Sequence, residues 1–288
     1  MIRHLNSLTA VFKVRISIAI VLCALAGMAI MPGPSLPLGQ TLFLALAVLL
    51  SSSAAGAFNH YAERDLDAKM PRTRNRPFVT GEFDANRAWL LVIVLVLAGA
   101  VGIAAWALNF YVALHTFFGA IVYALVYTIW LKRRTSWNIV VGGLAGSFAV
   151  LAGAASINPM PSPSALLLAL TLFLWTPPHF WSLATVMQKQ YADAGIPMLP
   201  VVVGAQKSAW IILGHTIVLV GVSLLPAFYG MGPIYLAGAC AGGGYFLWYS
   251  IRLVRNPTPT EAMANFKASF VQLGTLLTAT LVDGSLTA

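Results

Sequence analysis

The 288-residue chain is 59% hydrophobic, only 9% charged, and has a mean hydropathy of +0.82. Its long apolar runs exclude a soluble globular domain, and their lack of polar–apolar alternation excludes a porin-type barrel. A net charge of +9 would point to nucleic acid in a soluble protein; here membrane topology accounts for it, and no nucleic-acid partner is expected.

Residues 1–30 place Arg3, Lys13 and Arg15 before an apolar stretch but show no small-x-small cleavage site, so the segment reads as a span and not as a signal peptide. No long transit peptide is visible, which favours a bacterial inner membrane. Cys23 and Cys240 lie in apolar runs without metal-ligand spacing and read as free thiols. Intervals free of Lys and Arg run over 16–63, 88–131, 135–188, 208–251 and 268–288. A span takes about 20 residues, so the first four intervals each hold two spans and the last holds one. The expected fold is therefore all-α: a single domain over residues 1–288 with nine transmembrane helices. The predicted spans are 14–31, 38–60, 88–107, 110–131, 138–157, 164–187, 208–227, 233–253 and 267–284. All seventeen basic residues then share one side, which the positive-inside rule makes cytoplasmic, with the N-terminus inside and the C-terminus outside. The last span is the least apolar, being interrupted by Gln272 and Asp283.

In chain order, Lys13 and Arg15 open the first span as interfacial anchors or as diphosphate contacts. The second span runs into residues 59–77, which hold three of the eight acidic residues and five of the seventeen basic ones. On a helix, Asn59, Glu63 and Asp67 fall at i, i+4 and i+8 and project from one face. An amide and two carboxylates so placed are hard oxygen ligands suited to Mg²⁺. Asp65 points away from that face and is expected to pair with an arginine. Arg64, Arg72 and Arg76 suit a phosphate, and Pro71 breaks the helix so that the following loop folds back over the site. The same arginines also read as plain topology signals.

The next cytoplasmic loop carries Lys132, Arg133 and Arg134, followed by Asn138, a polar amide at membrane depth that needs a partner. Gly142, Gly143 and Gly146 let the fifth span approach a neighbour closely. The sixth span contains Trp175-Thr-Pro177-Pro178-His179-Phe180-Trp181; two prolines free backbone carbonyls and kink a helix, a feature tolerated beside a cavity. His179 reads either as a hydrogen-bonded core residue or as a functional one. Lys189, Gln190, Tyr191 and Asp193 supply a second polar cluster on the same side.

Four stretches carry a resemblance: Asn59…Asp67 with Arg72-Thr-Arg-Asn-Arg76-Pro77, Tyr127-Thr-Ile-Trp-Leu-Lys132-Arg133-Arg134-Thr135 with Asn138-Ile-Val-Val-Gly-Gly, Trp175-Thr-Pro-Pro-His179-Phe-Trp181, and Tyr191 with Ala194-Gly-Ile-Pro-Met-Leu-Pro200. The chain resembles the UbiA intramembrane prenyltransferase superfamily, and the last three stretches resemble its heme-modifying branch. The resemblance implies a nine-helix bundle with a cytoplasm-facing mouth. It implies transfer of a farnesyl group from farnesyl diphosphate to a vinyl group of protoheme IX, with water added to give heme O. Mg²⁺ would be held by Asn59, Glu63 and Asp67, and the diphosphate by Arg64, Arg72, Arg76, Lys132 and Arg133. Asn138, His179, Lys189, Tyr191 and Asp193 would serve the second motif and the acceptor side. Beyond its two substrates and the bilayer, the implied partners are a heme A synthase or a terminal oxidase in assembly. Three departures stand out: Glu63 replaces the superfamily's first aspartate, Gln190 stands at an aspartate position of the second motif, and Lys13-Val14-Arg15 replaces the usual Lys-Pro-Arg. The competing readings are prenyl transfer to another aromatic or tetrapyrrole acceptor, a transporter, or a non-catalytic heme-binding assembly factor. No repeat of the Asn-x-x-x-acid-x-x-x-acid pattern in the second half supports the transporter.

Overall fold

A computed structural model describes residues 2–287, which fold as helices joined by short turns. In chain order these are α1 (Ile2–Val11), α2 (Val14–Ala29), α3 (Leu38–Ala62), α4 (Arg64–Lys69), α5 (Pro77–Thr80), α6 (Arg87–Ala107), α7 (Phe110–Ile121), α8 (Asn138–Gly142), α9 (Leu144–Ile157), α10 (Pro163–Val186), α11 (Gln188–Asp193), α12 (Leu199–Leu224), α13 (Pro233–Arg255) and α14 (Pro259–Thr287). α7 runs on as a π-helix over Val122–Leu131, in which each hydrogen bond spans one residue more than in an α-helix. Among the described residues, six helical rods are long and apolar enough to cross a membrane: Leu38–Ala62, Arg87–Ala107, Phe110–Leu131, Asn138–Ile157, Pro163–Val186 and Leu199–Tyr229. A seventh candidate joins His4–Val11 to Val14–Ala29 across a 45° bend. The expectation of nine spans needs α13 and α14 as well, and these fall below the same apolarity threshold.

Both shortfalls have a local cause. α13 is diluted by Gly238, Gly242, Gly243 and Gly244. Four polar residues of α14 point inward: Asn265, Ser269, Gln272 and Thr280 are fully buried, while Val271 and Val282 are among its exposed residues. Asp283 turns inward too. Its carboxylate accepts from the backbone N–H groups of Gly232 at 2.6 Å and Tyr235 at 3.2 Å, capping the start of α13 from a neighbouring helix.

Between helices the packing depends on small residues. α2 lies on α3 and α9, while α14 lies on α13, α10 and α2. A Cβ at Gly153 would collide with the Ala24 carbonyl, and one at Gly27 with the Val150 carbonyl, so α2 and α9 touch backbone to backbone. Among the glycines expected to permit close approach, Gly142 sits under the Tyr127 ring and Gly143 beside Thr176 and the Phe173 carbonyl, whereas Gly146 has only Leu172 near it. The prolines Pro177 and Pro178 lie within one continuous α10.

Candidate active site

α3 stops at Ala62, one residue before the first charge of the stretch, Glu63. Glu63 takes a non-helical conformation, and α4 restarts at Arg64. The break leaves the helical register intact, because Glu63 N–H donates to Asn59 O at 3.0 Å and Asp67 N–H to Glu63 O at 2.8 Å. Asn59, Glu63 and Asp67 are therefore stacked as the spacing predicts, and they are only 2%, 1% and 3% exposed.

Each of the three side chains is held by a different cation. Lys13 Nζ donates to Asn59 Oδ1 at 2.6 Å, Lys132 Nζ to Glu63 Oε2 at 2.5 Å, and Arg76 Nη1 to Asp67 Oδ2 at 2.6 Å. The asparagine amide is oriented from its other end, where Nδ2 donates to Thr128 Oγ1 at 3.0 Å, and that hydroxyl donates to the Tyr123 carbonyl. Lys13 also donates to the Tyr123 phenol at 3.0 Å. The second carboxylate oxygen of Glu63, Oε1, is sealed in the protein with no hydrogen-bond partner.

The local sequence explains how three separate segments deliver these cations. Lys13 sits at the bend between α1 and α2 in a left-handed conformation (φ 48°, ψ 40°), the one non-glycine residue with positive φ among those described. Such a conformation costs about 1–2 kcal/mol and is retained where the surroundings enforce it. Gly56 makes room for it, since a Cβ there would press on the Lys13 side chain at 3.2 Å. Arg76 returns to the site because Pro71 ends the α4 run and the chain turns tightly, with Thr73 Oγ1 donating to Asp67 O at 3.0 Å and Arg76 N–H to Thr73 O at 3.0 Å. Lys132 is delivered by the π-helix: its N–H donates five residues back to Tyr127 O at 2.9 Å. Asn138 secures the same turn by donating to the Thr135 carbonyl at 2.6 Å.

The remaining expected residues divide into two groups. Arg72 lies near enough to Tyr191 to act on its phenol, which burial pushes up, so the first loop reaches the second polar cluster. Lys189, Gln190 and Asp193 line an open cavity of about 390 Å³ together with Lys69, Pro71, Val186 and Met187. By contrast, Arg133 forms a two-pronged pair with Asp65 at 2.7 Å for each bond, and Arg64 folds onto the Tyr61 carbonyl and ring. Both arginines thus turn to the surface, away from the buried trio. The Asp65 pairing follows the sequence expectation. His179 lies within α10 in a cage of rings, stacked on Trp175 at 4.1 Å.

A scan against known families finds the UbiA prenyltransferase family over residues 20–274. The chain belongs to this family. Within it, this UbiA chain is 57% identical over 283 residues to protoheme IX farnesyltransferase 2 of Paramagnetospirillum magneticum, a match covering 98% of each chain. It is 39% identical to protoheme IX farnesyltransferase of Alkalilimnicola ehrlichii, covering 98% of this chain and 94% of that one. Among solved structures it is similar to a digeranylgeranylglyceryl phosphate synthase, with a TM-score of 0.81 at 16% identity over 97% and 98% of the two chains. A UbiA homologue from Archaeoglobus fulgidus bound to DMAPP and Mg²⁺ gives 0.71 at 16% identity over 96% and 99%. These two likenesses establish the fold as UbiA-like.

Three residues of this UbiA site lie outside the set the sequence nominated. Lys13 was open between anchor and ligand, and Tyr123 and Thr128 carried no signal of their own. Their one trace in sequence is spacing: Tyr123, Tyr127 and Thr128 precede Lys132 by nine, five and four residues, which shares a site only on a π-helix.

Proposed function

We propose that this prenyltransferase moves a farnesyl group from farnesyl diphosphate to a vinyl carbon of protoheme IX, giving heme O and diphosphate. The observation that carries the transfer chemistry is the buried trio Asn59, Glu63 and Asp67 with Lys13, Lys132 and Arg76 around it. The acceptor is argued from the protoheme IX farnesyltransferases that this chain resembles over nearly its whole length.

The trio fits Mg²⁺. It offers hard oxygens in the right number for a cation that completes its shell with water and substrate phosphate, and Glu63 Oε1 is a buried carboxylate oxygen without a partner. Asn59, Glu63 and Asp67 would hold the ion, and the solved Archaeoglobus homologue bound to DMAPP and Mg²⁺ supports that reading. When bound, it would supply Lewis-acid charge to the diphosphate oxygens. Lys13, Lys132, Arg76 and Arg72 neutralise the same group as the farnesyl carbon–oxygen bond breaks and its electron pair leaves with diphosphate. Arg64 and Arg133 stand at the rim. The allylic cation is attacked by the electrons of the vinyl group. Water then adds to the carbon beside the porphyrin and loses a proton, which completes the hydroxyethylfarnesyl side chain. Burial of the trio keeps bulk water from capturing the first cation.

The reading includes nine spans, with the trio at a cytoplasmic mouth of a bacterial inner-membrane protein and a heme A synthase or an oxidase in assembly downstream. The inward polar faces of α14 support counting α13 and α14 as spans. The direct test is the purified protein in lipid nanodiscs given farnesyl diphosphate and ferrous protoheme, with and without Mg²⁺, and read by mass spectrometry. Heme O that depends on both the lipid diphosphate and the metal is the expected product. Farnesyl transfer to a non-heme aromatic acceptor alone would replace the acceptor and keep the site.

A further inference from the structure

The three pairings at the trio set a condition on what can enter it. Each of its side chains already gives an oxygen to a protein cation: Asn59 Oδ1 to Lys13, Glu63 Oε2 to Lys132 and Asp67 Oδ2 to Arg76. The Asn59 amide has no other oxygen to offer, and its nitrogen donates to Thr128. Lys132 and Arg76 match the two carboxylates, and Lys13 adds to the positive side. The trio thus presents no net negative charge to a free divalent cation, and Mg²⁺ gives up its water shell reluctantly.

Burial separates the two halves of each ion pair. The side chains of Lys132 and Arg76 are 15% and 20% exposed, whereas those of Glu63 and Asp67 are 1% and 5% exposed. A divalent cation coming from water therefore meets an ammonium and a guanidinium group before it meets a carboxylate oxygen. A diphosphate coming the same way meets its own counter-charges. The two lysines also have a second holding surface. Lys13 Nζ lies 5.4 Å from the centre of the Tyr123 ring and Lys132 Nζ 5.7 Å from that of Tyr127, and the two rings stack at 5.5 Å. Pivoting on these rings, each ammonium group can leave its oxygen for a phosphate and keep its aromatic contact.

We propose that Lys13, Lys132 and Arg76 couple the binding of metal and diphosphate into one event, so that the metal does not load on its own. The diphosphate draws the three cations off the trio, and the oxygens they release then receive the metal. This rests on the diphosphate reading above and adds to it an order and a cause. Coupling of this kind is reciprocal: the factor by which diphosphate raises metal affinity is the factor by which the metal raises diphosphate affinity. Lys132 carries the largest part, because its departure frees a whole carboxylate: the other oxygen of Glu63, Oε1, has no partner to begin with.

The test uses the full-length protein in nanodiscs, with Mn²⁺ as a spin-bearing stand-in for Mg²⁺ and inorganic diphosphate as the anion. Equilibrium dialysis against protein-free nanodiscs measures both bound species, with free concentrations corrected for the soluble metal–diphosphate complex. Pulsed electron paramagnetic resonance of the retained Mn²⁺ reports whether phosphorus lies beside it. Wild type should bind Mn²⁺ at least about 10-fold more tightly with diphosphate than without, and diphosphate affinity should rise by the same factor with Mn²⁺. Lys132→Met should bind Mn²⁺ without diphosphate, with no phosphorus signal, and its coupling factor should fall toward one. Should that variant fail to fold, the reciprocity measured in wild type decides alone. Equal Mn²⁺ affinity with and without diphosphate in wild type overturns the coupling, and a folded Lys132→Met protein that still needs diphosphate overturns the part given to Lys132. If wild type retains neither species, alone or together, while it farnesylates protoheme, the trio is not the diphosphate site and the reading above fails instead.

Discussion

Two aspartates two positions apart separate chemistry from surface electrostatics. Asp67 is 3% exposed and held by Arg76, whereas Asp65 pairs with Arg133 where their side chains are 55% and 41% exposed. Asp67→Asn should cut turnover by at least about 10²–10³-fold, the scale of losing one preorganised charge contact in a buried site. The protein should still insert and elute as the wild type does on size exclusion. Asp65→Asn should leave the rate unchanged. The Arg133 guanidinium holds the Asp65 carboxyl below the usual carboxylate range. Its folded pKa is thus lower than its unfolded one, so the pair contributes above about pH 4 and loses that contribution as the pH falls further. Solvent screening limits it to less than about 1 kcal/mol, so the acid limb of an unfolding profile should barely move in Asp65→Asn. Assays of both variants beside their melting curves check the contrast; equal rates would remove Asp67 from the site. Helical spacing made the stacking of the buried trio legible, since i, i+4 and i+8 are fixed by one element. The partners were harder to read because Lys13, Arg76 and Lys132 arrive from three segments. Among equally basic residues, only tertiary placement separates Lys132, which faces Glu63, from its neighbour Arg133, which does not.

The element that no residue pattern announced is the π-helix over Val122–Leu131. Residues there satisfy an apolar α-helical span as well as they satisfy a π-helix, and the extra residue per turn shows only in which side chains meet. It places Tyr123 and Tyr127 in a stack at 5.5 Å, Thr128 under Asn59 and Lys132 on Glu63. Deleting Leu125, a 46% exposed residue on this segment, should let it relax to an α-helix. Every residue on one side of the deletion then rotates by about 100° relative to the other. Lys132 and Tyr123 could no longer face the site together. Turnover and binding of inorganic diphosphate should both fall, while circular dichroism shows the same helical content. Leu125→Ala, which keeps the register, should bind diphosphate as wild type does. Retained binding in the deletion would mean that the extra residue does not set the Lys132 position. Glycine roles were only half legible for a related reason. Gly142 and Gly143 do admit a neighbour, but the tightest contact is between α2 and α9 at Gly27 and Gly153, whose rotational phase cannot be read when both helix faces are apolar.

At the scale of the molecule, the distribution of basic residues and the apolarity of single helices give different span counts. Hydropathy averages a helix over all its faces, so it undercounts one whose polar residues are satisfied inside the protein. α14 is such a helix: Asn265 bonds Ser182 and Ser250, Ser269 meets His179, and Asp283 caps α13, all away from lipid. Basic residues obey a different constraint, since the positive-inside rule acts on the loops during insertion and is blind to interior pairing. Whether α14 spans decides where the C-terminus lies. If α2 and all later long rods span, the number is nine, and with the N-terminus inside the chain ends outside. If α14 lies on the surface instead, the number is eight and the chain ends in the cytoplasm. Alkaline phosphatase and green fluorescent protein fused after Ala288 tell these apart in a bacterial host, because the first is active only outside and the second fluoresces only inside. Phosphatase activity without fluorescence is expected there, and the reverse is expected for fusions made after Arg255, between α13 and α14. A fluorescent C-terminal fusion would remove α14 from the bilayer and leave its buried polar face to be explained by something other than a transmembrane bundle.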